Sequence, residues 1–227
     1  MNPPADNLAA AVARHDIELP GPHLAALEQY CRLLWEWNAR LNLTRHTDFE
    51  RFAARDLVDS LAFAEFLAPG EQILDVGTGG GVPGVVLAIV RSDLRVSLCE
   101  SVGKKARAVA DIVERLGLPV TVYHARAEDL LADHLFQTLV IRAVARLRKL
   151  LEWFRPCWKS FDRMLVLKGP SWLEERGEAR HHGLLRDLAM RKLKGYPLPA
   201  TDAESVLLQI CPQERLKLLT RARTTRG

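Results

Sequence analysis

Two hydrophobic periods divide the chain near residue 70. Before it, apolar residues recur at helical spacing. From His23 onward, Leu27, Tyr30, Cys31, Leu34, Trp37 and Leu41 trace the buried stripe of an amphipathic helix. A further helix is expected over residues 47–67, with Phe49, Phe52, Ala53, Leu57, Leu61 and Ala64 on one face. Thr47 and Glu50 read as its capping box, the hydroxyl accepting from the Glu50 N–H while the carboxylate reaches back. Asp6 is placed to cap a shorter helix ending near His15, and residues 1–4 read as a frayed end. Pro20-Gly21-Pro22 and Pro69-Gly70 are the breaks.

After residue 70 the pattern alternates. Short apolar runs at 73–76, 95–100, 120–124, 138–141 and 163–168 predict strands. Between them lie helical patterns at 82–91 and 103–116, a short turn of helix at 127–135, and a stripe of Leu147, Leu150, Leu151, Phe154 and Trp158. Gly117 closes the second of these helices. A helix over 171–188, interrupted by Gly177 and Gly183, and strands at 190–196 and 205–210 complete the reading. Such alternation predicts an α/β fold: a doubly wound, mostly parallel seven-stranded sheet with helices on both faces. Residues 1–70 form an N-terminal helical cap packed on a main domain of residues 71–212, and 213–227 is a basic tail.

Composition narrows the class. The chain has 227 residues, 48% hydrophobic and 26% charged, values of a globular protein able to bury a core without disulfides. Its formal net charge is +4, which suits a polyanionic partner without requiring one. Cys31, Cys99, Cys157 and Cys211 are far apart, with no CxxC pair and no histidine at ligand spacing, so reduced thiols and no metal site are expected. The N-terminus lacks a signal peptide's basic start and apolar core, and no run is long enough to span a membrane, which points to the cytoplasm. His181-His182 diverge on a helix and read as surface residues.

The chemistry concentrates in residues 73–84, Ile-Leu-Asp-Val-Gly-Thr-Gly-Gly-Gly-Val-Pro-Gly. An apolar strand ends in Asp75, and a glycine-rich loop opens a helix whose N–H groups face the loop. The absence of Gly-Lys-Ser/Thr argues against a nucleoside triphosphate. Gly79-x-Gly81-x-x-Gly84 satisfies a dinucleotide pattern, so a nicotinamide-dependent oxidoreductase stays open. Asp75 would repel a phosphate but suits the ammonium and sulfonium of S-adenosylmethionine, directly or through water. Glu100, at the end of the next strand, can accept from ribose hydroxyls of either ligand.

The wider pattern resembles the RsmG (GidB) family of class I methyltransferases. The resemblance covers roughly residues 24–170: Trp37-Asn38 with Asn42-Leu43-Thr44, Arg55 with Asp59-Ser60-Leu61, Asp75 to Gly84, Glu100 to Lys104, Arg126-Ala127-Glu128, Arg142 to Ala145 and Leu167-Lys168-Gly169. It implies a Rossmann-like fold, S-adenosylmethionine as cofactor, and methylation of a guanine N7 in the 530 loop of bacterial 16S rRNA, free or within the small ribosomal subunit. It carries cofactor contacts to Gly77, Gly79, Val82, Glu100, Ala127, Glu128 and Arg142, beside Asp75 and Gly81 of the same loop. Arg126 and Arg142 are expected to position substrate, and Arg45, Arg55, Lys104 and Arg126 to meet RNA. Arg40, His46 and Arg51 could extend that surface. A monomer is expected. Three positions depart from the family's habit: Asp56 stands where histidine is common, Ile141 where serine is, and Ser205 where arginine is. Asp56 and Ser205 stand at positions expected to belong to the RNA contact surface, and the three departures together leave a catalytically silent RNA-binding relative as the other alternative. Guanine N7 carries a lone pair and no proton, so transfer to it needs no strong general base; positioning in a partly dry site suffices.

Overall fold

The computed structural model describes residues 7–197 and 204–216. Asp6, residues 1–4 and most of the basic tail, from residue 217, lie outside them. In chain order the helices and strands are α1 (Leu8–Arg14), α2 (Gly21–Asn38), α3 (Phe49–Arg51), a π-helical stretch (Phe52–Leu57), α4 (Val58–Ala64), β1 (Gln72–Val76), α5 (Gly84–Val90), β2 (Arg95–Glu100), α6 (Gly103–Arg115), β3 (Thr121–His124), α7 (Ala127–Leu130), β4 (Phe136–Arg142), α8 (Leu147–Phe154), a 3-10 turn (Arg155–Cys157), β5 (Phe161–Lys168), α9 (Trp172–His181), β6 (Leu188–Pro197) and β7 (Glu204–Pro212). The strands form one seven-stranded sheet in the order β3-β2-β1-β4-β5-β7-β6. The pairs β1–β2, β2–β3 and β4–β5 are parallel; β7 runs antiparallel to both β5 and β6. The chain divides into two compact units, residues 1–127 and 128–227.

In the first unit, Ile73, Leu74, Val76, Val96, Leu98 and Cys99 are all buried, as strands covered on both faces must be. The register sets Val76 beside Cys99 and Glu100 beside His124, so the carboxyl ends of β1, β2 and β3 lie together. The N-terminal helices pack within this unit: α2 lies against α5 and α6, and α4 against α5. Tyr30, Phe52 and Phe63 are fully buried. The Trp37 indole donates to Asp111 of α6 at 2.7 Å, and Arg91, just after α5, donates to the Ala64 carbonyl at the end of α4 and to the Leu67 carbonyl beyond it.

Two details differ from the pattern-based reading. The helix after Thr47 is capped by Asp48, whose carboxylate accepts from Arg51 N at 2.8 Å; Glu50 turns away to pair with Arg14 at the end of α1 and with His15 just after it. The same helix widens into π geometry over Phe52–Leu57. A π turn inserts one extra residue and rotates everything after it. Ala62 and Phe63 are therefore buried, while the expected Leu61 and Ala64 are half-exposed.

In the second unit, Phe154 and Phe161 meet edge to face at 6.1 Å, and Trp158 packs on Phe161 at 4.7 Å. Glu175 binds three elements together. Its Oε2 lies 2.7 Å from Lys168 Nζ at the end of β5 and accepts from Leu147 N at the start of α8 at 2.6 Å. Burial raises the Glu175 pKa, but the Lys168 hydrogen bond, with Leu147 N–H and the nearby cations, outweighs it and leaves the carboxyl below its ordinary value. The helix expected over 171–188 stops at His181. Gly183, at φ +68°, sends its N–H to the Arg180 carbonyl, and Leu184 N–H reaches Ala179, a Schellman closure. Gly183 is thus the stop signal, and the freed residues from Leu188 extend β6. Arg215, read as part of the tail, donates to Asp162 at 2.9 Å and to the Phe161 carbonyl.

Candidate functional site

The glycine loop leaves β1 at Val76 and is tied at once to β2: Gly77 N and Thr78 N donate to the Cys99 carbonyl at 2.8 and 3.1 Å. Its glycines then separate by side. Gly77 is exposed and Gly79 half-buried, both at positive φ (+66° and +59°), a conformation glycine adopts without penalty. A Cβ on Gly79 would meet only the Gly77 carbonyl, at 3.9 Å, so its flank is open. Gly80, Gly81 and Gly84 are buried and face inward. A Cβ on Gly80 would lie 2.7 Å from Leu34 Cδ1, on Gly81 2.6 Å from Val85 Cγ2, and on Gly84 2.2 Å from Leu98 Cδ2. Gly81, expected beside the ligand, thus serves packing: its missing side chain admits Val85 and the Tyr30 hydroxyl. Val82, half-buried, precedes the cis bond to Pro83.

Asp75 also works from below. It is 1% exposed, and its Oδ2 accepts from Thr78 Oγ1 at 2.6 Å and from Gly84 N at 2.9 Å. The carboxylate thereby fixes both ends of the turn and satisfies an N–H at the start of α5. The contact expected with a cationic ligand is direct or through water; Oδ2 is already committed to the loop.

Glu100 is the acid that meets the loop. Its Oε2 accepts from Gly79 N at 3.0 Å and its Oε1 from Val102 N at 2.8 Å. Each carboxylate oxygen keeps a further lone pair for a hydroxyl donor. A backbone open at Gly79, a fixed carboxylate at the neighbouring strand end and no cation inside the loop suit a nucleoside that brings hydroxyls and no phosphate. S-adenosylmethionine meets that description, so the residues fit it.

The N-terminal helices support the loop, a role that periodicity did not reveal. Tyr30 of α2 donates to the Gly80 carbonyl at 3.0 Å. Asn38 Oδ1 accepts from Leu43 N and Thr44 N at 2.8 and 3.0 Å and folds that segment back, so that Leu43 lies against Gly80. Tyr30 and Thr78 are the contributors that sequence reasoning missed. The available signal was a tyrosine at a buried helical position, whose hydroxyl needs a partner.

The other candidates are distributed as follows. Ala127 is buried and begins α7, with Glu128 next; Arg142 ends β4, half-buried, and Ala143 after it has φ +54°. Arg126, Lys104 and Arg45 are exposed and Arg55 half-buried. His46 is instead paired with Asp56 at 3.0 Å, Arg51 with Asp48 at 3.3 Å, and Arg40 lies over the Trp37 ring at 5.9 Å. The three departures are buried: Asp56 at 2% exposure, Ile141 at 0% and Ser205 at 3%. In this chain they serve internal packing and the His46 pair, so Asp56 and Ser205 do not form the expected part of an RNA-facing surface. Burial pushes the Cys31 thiol well above its usual pKa, with the Asp56 charge adding to it. Cys31, Cys99 and Cys211 are buried free thiols, and Cys157 is a half-buried one. Among the described residues no group of His, Cys, Asp and Glu could hold a metal ion, and no helix is long and apolar enough to cross a membrane.

A family profile described as rRNA small subunit methyltransferase G (GidB) matches residues 23–196. Proteins named ribosomal RNA small subunit methyltransferase G are similar over most of the chain. That of Rhodopirellula baltica is 49% identical over 194 residues, 86% of this chain and 84% of its own. That of Chromobacterium violaceum is 33% identical over 207 residues, covering 91% and 97%. Two solved structures share the fold at low identity. M. capricolum TrmK bound to S-adenosylhomocysteine has a TM-score of 0.55 at 14% identity, covering 68% of each chain. An MtNAS mutant bound to S-adenosylmethionine has 0.53 at 18%, covering 91% of this chain and 84% of its own.

Proposed function

Since the chain belongs to the rRNA small subunit methyltransferase G (GidB) family, we propose that it methylates N7 of a guanine in small-subunit ribosomal RNA, with S-adenosylmethionine as donor. The observation that carries this reading is the two-sided glycine loop: open at Gly79, closed and packed at Gly80, Gly81 and Gly84, with Glu100 bonded across it. Bound S-adenosylmethionine supplies an electrophilic methyl group on a sulfonium.

This chain's residues supply the rest. Gly77 and Gly79 let the ligand approach the backbone, and Val82 borders the loop's exit. Glu100 takes the ribose hydroxyls. Ala127 and Glu128, at the start of α7, border the adenine in the family's pattern. Asp75, Thr78 and Tyr30 hold the loop rigid, so little ordering remains to be lost on binding. Arg142 and Arg126 position the substrate, and Arg45, Arg55 and Lys104 offer charge to the RNA. The acceptor nitrogen has no proton to lose, so the reaction asks for alignment and exclusion of water, not for a base. In this reading the substrate is the 16S rRNA, alone or in the small subunit, and the protein works in the cytoplasm, where that RNA is. The family favours neither a nicotinamide-dependent oxidoreductase nor a silent RNA binder.

The test is incubation with labelled methyl donor and small subunits or 16S rRNA lacking the modification, followed by mapping of the labelled nucleotide. Transfer to a guanine N7 is expected. Cofactor binding without transfer to any RNA would overturn the proposal.

A further inference from the structure

The second unit carries a concentration of positive charge that the cofactor loop does not use. Residues 176–194 hold six cations, Arg176, Arg180, Arg186, Arg191, Lys192 and Lys194, against two acids, Glu178 and Asp187. That excess of four equals the formal net charge of the whole chain.

Helix α9 is divided by charge. Glu174 and Glu178 pair with Arg146 and Arg148 of the α8 region, and Glu175 with Lys168. Arg176 and Arg180 instead line an open concavity of about 330 Å³ with Arg186, floored by Leu185, Leu188 and Met190. Among the described residues no carboxylate lines it. Among the described residues, none of these three guanidinium groups has an ion pair or a side-chain hydrogen bond, unlike those of Arg146 and Arg148. Like charges four residues apart weaken a helix slightly, so folding gives no reason for the Arg176–Arg180 pair. The helix dipole favours Arg180 in the last turn but not Arg176. Arg191, Lys192 and Lys194 lie on β6, a sheet edge, where cations deter edge pairing and so carry no inference alone.

We propose that the Arg176–Arg180–Arg186 concavity binds the phosphodiester backbone of the RNA substrate. Guanidinium groups match phosphate oxygens with two parallel hydrogen bonds, and the apolar floor lowers the local dielectric and strengthens them. An aliphatic floor also takes a ribose face without competing donors. The inference rests on the methyltransferase reading for the identity of the RNA, and on this geometry for the surface.

The test compares wild type with a triple Arg176→Gln, Arg180→Gln, Arg186→Gln variant, binding unmodified 16S rRNA across a salt series. Each phosphate contact contributes roughly 0.7–0.9 to the slope of log affinity against log salt. The variant should lose at least tenfold in affinity and about two units of slope, while its affinity for S-adenosylhomocysteine and its melting temperature stay those of wild type. Arg→Lys at the three positions should restore most of the slope. A control, Arg146→Gln with Arg148→Gln, removes charge from paired arginines and should change the slope less. Unchanged RNA affinity and slope in the triple variant, with wild-type transfer intact, would overturn the surface and leave the function standing. An equal loss in the control would reduce the site to diffuse charge and overturn it too. A wild-type protein that binds no RNA would overturn both.

Discussion

Gly79 and Gly84 sit in one loop and are glycine for opposite reasons. Gly79 holds a φ of +59° with an open flank, the side on which we propose the ligand binds, whereas Gly84 leaves room for the protein's own Leu98 and Asp75. Their substitutions should therefore separate. Gly79→Val should abolish binding of S-adenosylhomocysteine in calorimetry, because its branches fill the open flank and strain a backbone held at φ +59°, while far-ultraviolet circular dichroism should show the sheet and helices retained. Gly84→Ala should act on stability. Its Cβ would sit 2.7 Å from Asp75 Oδ2 and 2.2 Å from Leu98 Cδ2, and overpacking of this kind costs about 1–3 kcal/mol, read as a lowered Tm. The sequence shows five glycines alike; only the atoms around each one distinguish the ligand's neighbours from the packing partners. Asp75 makes the same point, since its position before the loop suggested a ligand while its hydrogen bonds go to Thr78 and Gly84.

Elements are held by a few side chains that no pattern along the chain reveals. Glu175 joins β5, α8 and α9, and removing one member of a buried ion pair strands the other. Glu175→Ala should destabilise the protein by roughly 3 kcal/mol in urea unfolding, chiefly through the uncompensated Lys168. At the end of α5, the Arg91 hydrogen bond lowers the Asp93 pKa from its ordinary 3.8 to about 2, with Gly70 N–H assisting. A carboxyl depressed on folding contributes stability that is present above its unfolded pKa and is lost as pH falls towards the folded one. The acid-unfolding profile should thus contain a component between about pH 4 and pH 2 that disappears in Asp93→Asn. The lengths of elements depend on similar local events. The π turn at Phe52–Leu57 rotated the buried face by one residue, and Gly183 ended α9 several residues early.

At the scale of the molecule, a weakly charged chain concentrates its cations. The formal net charge of +4 is small, yet residues 176–194 alone account for as much. Salt should therefore act on the two ligands differently. Methyl transfer to RNA at sub-saturating substrate should fall steeply as salt rises, while affinity for S-adenosylhomocysteine should vary little, because the cofactor loop holds no cation. Parallel titrations of both across one salt series would check this.

By itself the sequence determined the order of strands and helices, the seven-stranded sheet and the glycine loop between Asp75 and Glu100. Each of these is written in local period, in turn chemistry or in residues close together in the chain. Tertiary structure alone decided what each side chain faces. It turned Gly81 and Asp75 inward, brought Tyr30 and Leu43 to Gly80 from far along the chain, and buried Asp56, Ile141 and Ser205. It also gathered Arg176, Arg180 and Arg186 with no acid among the described lining residues, while Arg146 and Arg148 were neutralised. The physical reason is common to all of them: burial and pairing depend on contacts between residues distant in sequence, and these exist only once the chain has closed on itself.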